Sequence, residues 1–325
     1  MIRSIAVAFR TVRASVPAGV RSPFLWFRKE VVVIVTRPRV GVAVLTMGDR
    51  MPELLALLES VAKQDEPAAR VVVVGNGTAL PDLPENVTGV ELKENLGVSG
   101  GRNVAWHRLR DFGDVDVLVD LDDDGLLIDA DVFRRITDLY ASAHRLGIVS
   151  FRIADETGTT QQRHVPRLRA GDPMRGGLVT TFLGGGHALS MPMLEETGGW
   201  PAAFFFTHEE TDLAWRAIDR GWDILYEPQL VLQHPKTSPA RHAVYYRMTA
   251  RNRVWLAKRH LPAPLVPVYL GVWVALTLAR TKSVAGLRAW FAGFTEGIRT
   301  SGGPRRPMHW RTVRRLTSLG RPPVI

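Results

Sequence analysis

The chain has 325 residues, of which 46% are hydrophobic and 23% are charged, a composition that is ordinary for a globular protein and excludes a disordered one. It contains no cysteine, which excludes disulfides, thiolate metal sites and cysteine nucleophiles. Its net charge of +10 combines two basic ends, +7 over residues 1–39 and +15 over 241–325, with an acidic middle of −12 over 40–240. Basic ends attract polyanions, so nucleic acid and an anionic membrane surface are both candidate partners.

The first segment, residues 1–39, is predicted to be a basic amphipathic extension. Arginines interrupt every candidate apolar core in it, which disfavours a signal peptide. The pattern predicts a helix that either lies in the plane of a membrane or docks on the protein's own body. Its apolar side chains recur at spacings of three and four residues, as on one face of a helix: Ile2, Ile5, Phe9, Val12 and Val16.

From residue 31 the sequence alternates β-branched strands with amphipathic helices, which predicts an α/β fold with a mostly parallel sheet. Three polar turns, GNG, ENLGVSGGRN and DLDDDG, follow predicted strands or open the helix after one. In such sheets ligands bind beyond the carboxyl ends of the strands, so one site at one edge is expected. Residues 153–180 receive no assignment. The predicted strands are 31–35, 40–46, 71–77, 87–95 and 114–125, and the predicted helices are 51–64, 100–112 and 129–144.

The stretch VDLDDDG holds four aspartates in five positions, and three interpretations compete for it. An EF-hand calcium loop would use Asp120, Asp122, Asp124 and Asp131, but it needs a preceding helix and a glutamate at its last position. A solvated loop whose acids cap the next helix is the second interpretation. The third is a Mg²⁺ or Mn²⁺ site, because these ions take carboxylates together with substrate phosphates.

A second acidic group opens a predicted helix in FFFTHEETDLAWRA. Glu209, Glu210 and Asp212 lie in its first turn, where the helix dipole favours carboxylates. Asp212 is interpreted as an ordinary acid of a helix start. The adjacent pair Glu209 and Glu210, which follows an aromatic run, is a candidate catalytic group. The segment ILYEPQLVLQH is predicted to be extended and ends at His234.

With these motifs in this order, the chain resembles the family 2 glycosyltransferases, which are inverting GT-A enzymes, and especially their rhamnosyl- and galactofuranosyl-transferring branches. The resemblance runs from about Arg39 to Arg259. It rests on VGVAVLTMGDR with VVVVGNG, then ENLGVSGGRN, then LVDLDDDG, and finally GGW, HEETDLAWRA and YEPQLVLQH with the later YYRMTARN. It implies a Rossmann-like GT-A domain over 40–240, a mostly parallel mixed sheet flanked by helices, with basic, amphipathic helical extensions over 1–39 and 241–325.

The resemblance also implies roles for individual residues. Asp122 and Asp124 would bind Mg²⁺ or Mn²⁺ beside a nucleotide-sugar diphosphate, with Asp123 between them on the nucleotide side. Glu210, with Glu209 beside it, would activate the acceptor, and His234 would contact the metal or diphosphate unless it is an ordinary strand-end histidine. The residues that would line the nucleotide are Thr46, Asn76, Asn95, Gly97, Arg102 and Asn103. The loop under the acceptor would be formed by Gly184, Gly185, Gly186 and His187.

The sequence departs from the family pattern at three places. Gly75 stands where an acid usually helps to hold the nucleobase, so the identity of the nucleotide is less well defined. The acidic pair is Glu-Glu where the family commonly has Glu-Asp, and Pro201 to Ala203 replace an Asp-Glu after GGW.

The carboxyl-terminal region is predicted to associate with a membrane. Residues 261–279 are uncharged, but three prolines near their start leave too few helical positions for a span of about 20 residues. Trp290, Phe291 and Phe294 beside Arg288 form an aromatic and basic mixture typical of interfaces. We therefore expect a peripheral protein on the cytoplasmic face of the plasma membrane, and disfavour nucleic acid because no binding motif accompanies the charge.

The expected activity is metal-dependent inverting transfer from a UDP- or dTDP-sugar to a glycan or lipid-linked acceptor in cell-envelope assembly. Two alternatives stay open: a nucleotidyltransferase, and a non-catalytic membrane scaffold with a decayed transferase body. A dinucleotide-binding oxidoreductase is disfavoured because GVSGGRN lacks the G-x-G-x-x-G pattern.

Overall fold

A computed structural model describes residues 7–10, 30–33, 37–168, 171–236 and 243–325. It divides into two compact units, residues 1–37 and residues 38–325.

In the first unit, strand β1 (Val7–Arg10) pairs antiparallel with strand β2 (Glu30–Val33). The helix predicted near the amino terminus is therefore wrong at Val7–Arg10, and its other residues lie outside the described ones. A valine-rich partner strand favours pairing there, because short isolated helices are marginal in water. The strand predicted at 31–35 is confirmed as far as Val33.

The second unit contains a nine-stranded mixed sheet in the order β5-β4-β3-β6-β10-β8-β11-β7, with β9 paired to β11. The half from β5 to β6 is parallel, as predicted, whereas β10 runs antiparallel to both of its neighbours. The strands are β3 (Val40–Thr46), β4 (Arg70–Gly75), β5 (Val87–Glu91), β6 (Val117–Asp122), β7 (Leu126–Leu127), β8 (Leu146–Ala154), β9 (Gly177–Leu178), β10 (Gly186–Ser190) and β11 (Asp223–Gln233).

Helices cover both faces of this sheet, and each face has its own apolar core. The first helix shows why the sequence pattern works: Leu54, Leu57, Leu58 and Val61 are buried at helical spacing, and a proline stands in its first turn. The helices are α1 (Met51–Ala62), α2 (Gly97–Phe112), α3 (Val132–Ser142), α4 (Met191–Thr197), α5 (Glu209–Asp219), α6 (Ala243–His260), α7 (Leu265–Arg280), α8 (Val284–Arg299) and α9 (Trp310–Ser318).

Residues 243–325 belong to the same compact unit as the sheet. Helix α6 packs its Trp255, Leu256 and Ala257 into the core that α2 and α5 also cover. Helix α8 lies close against α6, where Gly293 and Gly297 face its backbone and leave no room for a side chain.

Asp212 joins α5 to α6, so the interpretation of it as an ordinary acid of a helix start is wrong. Its carboxylate is fully buried, 2.6 Å from His260 Nε2 and 3.1 Å from Arg259 Nη1, and Arg216 lies 2.6 Å away on the next turn. Burial raises the pKa of Asp212, but Arg216, His260 and Arg259 outweigh it, so the pKa lies well below its usual value.

Helix α7 corresponds to the uncharged stretch 261–279. Among the described residues, no helix combines the length and the apolar character that crossing a membrane requires. Tyr269 is the residue of α7 that is buried.

Candidate active site

The carboxyl ends of β3, β4 and β6 meet at one edge of the sheet, because these three strands are parallel and adjacent. The edge therefore collects Thr46, the Gly75 turn and Asp122 from segments far apart in the sequence. Strand β11 brings His234 to the same place, since it ends beside the β7 residues that follow the aspartates. The predicted convergence of polar turns is confirmed.

Asp122, Asp124 and His234 form a cluster in which one ligand atom from each lies within 4.8 Å of the others. His234 Nε2 is 3.0 Å from Asp124 Oδ1 and 3.9 Å from Asp122 Oδ2. The Asp124 side chain is 4% exposed and that of Asp122 is 40% exposed, so the cluster is buried at Asp124 and open to solvent at Asp122.

The ring of His234 is oriented by the backbone. Its Nδ1 lies 2.9 Å from the carbonyl oxygen of Pro235, which accepts a hydrogen bond from it and leaves Nε2 facing the carboxylates. Histidine ligands of metals commonly donate their other N–H in this way. Hydrogen bonding to Asp124 raises the pKa of His234, while burial works against it.

The donor set of two carboxylates and one imidazole fits Mn²⁺ or Mg²⁺. It does not fit the EF-hand interpretation, which is wrong. Asp120 lies inside strand β6 and pairs with Arg102, and Asp131 pairs with Arg134 and Arg135 on α3.

Asp123 lies beside Thr46 and Arg50. Burial raises the pKa of Asp123 to about 6, against the opposing effects of Thr46 and Arg50. Arg50 lies 3.6 Å from Asp123 and also pairs with Asp124. Sequence reasoning missed Arg50, whose signal was its place in the turn MGDR directly after β3.

Arg102 lies beneath the edge and is 5% exposed. Its Nε is 3.0 Å from Asp120 and its Nη2 is 3.5 Å from Asp122, and Nη2 also donates to the carbonyl of Gly184 at 2.6 Å. Burial raises the pKa of Asp120 to about 7 although Arg102 opposes this. Arg102 therefore joins the aspartate strand to the Gly184 loop.

His187, predicted to lie under the acceptor, is completely buried on strand β10. Its Nδ1 bonds to the carbonyl oxygen of Leu183 at 2.9 Å, and its Nε2 is 3.7 Å from Asp120. Its contacts are thus with the protein interior below Arg102.

Glu210 faces the same loop from the start of α5. A Cβ built on Gly184 would lie 2.5 Å from Glu210 Oε1, and one built on Gly185 would lie 2.9 Å from Asp122 Oδ2. Because these two adjacent glycines have no side chains, the space between the Asp122, Asp124 and His234 cluster and the candidate base stays open. Burial raises the pKa of Glu210, with Arg102 opposing it.

Glu209 is buried more deeply than Glu210. Its side chain is 3% exposed, and its Oε2 has no hydrogen-bond partner within the described part of the chain. Burial, and then the charge of Glu210, raise the pKa of Glu209 well above its usual value.

The backbone before α5 is strained. Phe205, Thr207 and His208 have φ angles of 64°, 70° and 68°, in the left-handed region that residues other than glycine seldom adopt. The side-chain amide nitrogen of Asn252 on α6 lies 2.8–3.0 Å from the carbonyl oxygens of three loop residues: Phe204, Phe206 and Thr207. Sequence reasoning noted Asn252 within YYRMTARN but gave it no role.

The loop predicted to line a nucleotide is organised by its own asparagines. Asn76 donates to Asn95 Oδ1 at 2.9 Å and to the Gly97 carbonyl at 3.1 Å, and its own Oδ1 accepts from Leu96. Gly97 has a φ of 72° and lies so close to the Phe205 carbonyl that a Cβ would be 2.4 Å from it. The contact of this loop with a nucleotide stays a prediction.

Asn103 makes two hydrogen bonds to the backbone of Trp200, one from its amide to the carbonyl at 3.0 Å and one from the Trp200 N–H at 2.8 Å. The Trp200 ring also lies 4.9 Å from the guanidinium carbon of Arg102. Asn103 therefore holds the GGW segment on α2.

No family model matches the chain, and no curated protein matches it significantly. Among solved structures it is similar to GalNAc-T7 with UDP, GalNAc and Mn²⁺ (12% identity, TM-score 0.59, 85% of this chain covered), and it spans 56% of that protein's length. It is similar to the mannosyltransferase PcManGT of Pyrobaculum calidifontis with GDP-Man and Mn²⁺ (19%, 0.52, 88% of this chain and 85% of that one). It is also similar to TarS 1–349 of S. aureus (15%, 0.56, 80% and 81%). These likenesses show that the chain has the GT-A fold.

Proposed function

We propose that the protein is a metal-dependent inverting glycosyltransferase that moves a sugar from a nucleotide-diphosphate donor to a hydroxyl of a glycan or lipid-linked acceptor. The observation that carries this proposal is the pairing, at one sheet edge, of the Asp122, Asp124 and His234 cluster with Glu210. Transfer to a hydroxyl needs both: a place for the anionic leaving group and a base for the incoming oxygen.

The leaving group belongs on the cluster side. Asp122, Asp124 and His234 would hold Mg²⁺ or Mn²⁺, which when bound supplies positive charge that stabilises a departing diphosphate. The Arg102 guanidinium, 3.5 Å from Asp122, adds a fixed positive charge beneath the same edge.

The acceptor belongs on the Glu210 side. Its carboxylate would take the proton of the attacking hydroxyl, and the missing side chains of Gly184 and Gly185 leave room for the reacting groups. A single displacement with one carboxylate as base inverts the anomeric centre, as in inverting glycosidases. Glu209, buried and adjacent, would set the position of this turn.

The finer assignment is to the family 2 enzymes and their rhamnosyl- and galactofuranosyl-transferring branches, with a UDP- or dTDP-sugar as donor. It is supported by the four motifs in order and by similar folds that bind nucleotides or nucleotide sugars, UDP in GalNAc-T7, GDP-Man in PcManGT and UDP-GlcNAc in TarS. Cell-envelope polysaccharide or glycolipid assembly is the setting that we propose.

We also propose that the protein lies peripherally on the cytoplasmic face of the plasma membrane. The outward face of α7 is apolar along its length, whereas an exposed helix face normally carries polar side chains. Sixteen basic residues against one acid in 241–325 complement an anionic surface. Exposed positions of α7 on this face are Pro267, Val268, Gly271, Ala275, Leu278 and Ala279.

Calorimetric titration of the protein with UDP, dTDP and GDP, each with Mn²⁺ and with EDTA, tests the proposed function. We expect one nucleotide to bind in a metal-dependent way and Asp124→Asn to weaken that binding, while the exposed Asp82→Asn leaves it unchanged. A nucleoside triphosphate that is consumed with release of pyrophosphate would favour the nucleotidyltransferase alternative. Absence of binding to all three nucleotides would favour the non-catalytic scaffold.

A further inference from the structure

A cavity of about 690 Å³ lies away from the sheet edge, between α5, the turn after α4 and the segment that leads into α9. Arg220 lines it from the far end of α5, ten residues after Glu210, which is about 15 Å along the helix axis. Its volume lies within the range of about 300–1,000 Å³ found for small-molecule sites. The mechanism proposed above makes no use of it.

The cavity is strongly basic. Its arginines outnumber its carboxylates, which are Glu196 and Asp219. Asp219 already binds His309 and Thr312, and Glu196 accepts from the Trp222 indole at 2.7 Å. The arginines that line the cavity are Arg216, Arg220, Arg259, Arg306 and Arg311.

Two of these arginines, Arg216 and Arg259, share the single negative charge of the buried Asp212. Within the described residues, Arg306 and Arg311 form no ion pair, and Arg220 donates to a backbone carbonyl, that of Arg216, at 3.2 Å. Burial, and then the charge of Arg216, lower the pKa of Arg220. Positive charge therefore exceeds negative charge in this cavity, although Asp219 and Glu196 offset part of it near Arg220.

The geometry points to a binding site for an organic phosphate, held by Arg220, Arg306 and Arg311. Guanidinium groups match phosphate oxygens in a bidentate way, so they suit this anion better than a simple halide. Pro304 and Pro307 line the same cavity at exposed positions and offer apolar surface for the organic part.

Trp200 connects this cavity with the sheet edge. Trp200 lines the cavity, and its ring lies 4.9 Å from the guanidinium carbon of Arg102, which pairs with Asp120 and Asp122. Arg216 holds the preceding turn by donating to the carbonyls of Thr197 and Gly199 at 2.6 and 2.8 Å. A bound phosphate would thus rest against the segment that positions Arg102.

Titration of the full chain with glycerol 3-phosphate in EDTA, followed by tryptophan fluorescence and calorimetry, tests this site. A second arm measures binding to phosphatidylcholine vesicles with and without phosphatidic acid. The test variant is Arg306→Ala with Arg311→Ala, and the control is Arg299→Ala with Arg314→Ala, which removes the same charge from exposed positions outside the cavity. An Arg306→Gln, Arg311→Gln variant serves if the alanine variant lowers the unfolding temperature.

We expect the cavity variants to bind at least about tenfold more weakly, a loss of about 1.4 kcal/mol, while the control binds as the wild type does. Dependence on Arg306 and Arg311 in the soluble arm identifies a free phosphorylated compound, and dependence in the vesicle arm alone identifies a lipid phosphate. Equal binding by cavity and control variants in both arms would overturn the proposal. So would loss of binding through Arg50→Ala, because the anion would then occupy the sheet edge, where Arg50 lies beside Asp123.

Discussion

The side-chain amide of Asn252 donates to the backbone carbonyl of Thr207 at 2.8 Å, and this bond joins α6 to the strained loop before Glu209 and Glu210. Asn252 is completely buried, and its amide nitrogen also lies within hydrogen-bond distance of the carbonyls of Phe204 and Phe206 in the same loop. The candidate base is therefore held in place from beyond residue 240. A fragment that ended at the predicted domain boundary would lack this support.

We expect Asn252→Ala to destabilise the fold by about 1–3 kcal/mol, because it removes the hydrogen bonds to the carbonyls of Phe206 and Thr207, whereas the Phe204 carbonyl keeps Arg251 as a donor. Turnover should fall by about 100-fold, since a shift of about 1 Å in a catalytic group has that effect. Urea unfolding and steady-state kinetics measure the two effects. Val244→Ala, at an exposed position of the same helix, should change neither, and wild-type turnover in Asn252→Ala would refute the positioning role.

Gly184→Ala should lower turnover while leaving stability nearly intact. The new Cβ would lie 2.5 Å from Glu210 Oε1. The end of the Glu210 side chain can rotate away from it, and this rotation displaces the carboxylate that acts as the base. A loss of about 100-fold in kcat is expected. The matched control is Gly171→Ala, whose Cβ would meet nothing within 4 Å. Equal kinetics for the two variants would show that the Glu210 position is not critical.

Glu210→Gln should reduce kcat by about 10²–10⁴-fold, the usual contribution of a general base, and leave nucleotide affinity unchanged. Burial raises the pKa of Glu210, so wild-type activity should decline with falling pH before the ordinary carboxyl range of about 4.3 is reached. Calorimetry with the nucleotide and a pH–rate profile measure both effects. The control is Glu195→Gln, an exposed acid on α4. Parallel losses of turnover and nucleotide affinity in Glu210→Gln would remove Glu210 from the role of base.

Glu209 should make stability depend on pH. Its pKa is raised in the folded state, so its carboxyl stabilises the fold while protonated, and that stability is lost as pH rises from about 4 through the raised pKa. Glu209→Gln removes this titration. The difference in unfolding free energy between variant and wild type should be near zero at about pH 4, grow with pH in favour of the variant, and level off. Denaturant unfolding across pH tests this, and a constant difference would contradict it.

Much of the sheet could be predicted because its signals are local. The runs VGVAVLT and VVVV (71–74) are rich in β-branched residues and buried on both faces, and α1 shows its apolar stripe directly. The aspartates of LVDLDDDG stand at a strand end, so their place at the edge follows from the parallel order. His234 joins them because β11 ends beside the same loop.

Other features could not be predicted, because they depend on partners distant in sequence. Asp212 has the position of a helix-start acid, and its burial follows from Arg259 and His260 on α6. The place of Arg50 directly after β3 puts it at the sheet edge, but its partners Asp123 and Asp124 lie more than seventy residues later. No periodicity in a single segment encodes such contacts.

The membrane proposal rests on α7, whose outward face offers apolar side chains where a soluble helix would have polar ones. Val268→Glu with Leu278→Glu places two charges on that face, at positions that are 49% and 54% exposed, so the fold should tolerate them. We expect sedimentation with vesicles of phosphatidylglycerol and phosphatidylcholine to fall about tenfold or more, because a charge cannot enter the apolar interface without loss of binding. Leu55→Glu, which adds a charge at an exposed leucine of α1, should sediment as the wild type does. If the double variant still binds vesicles, or if its effect is to dissolve a dimer seen by light scattering, the face contacts something other than lipid.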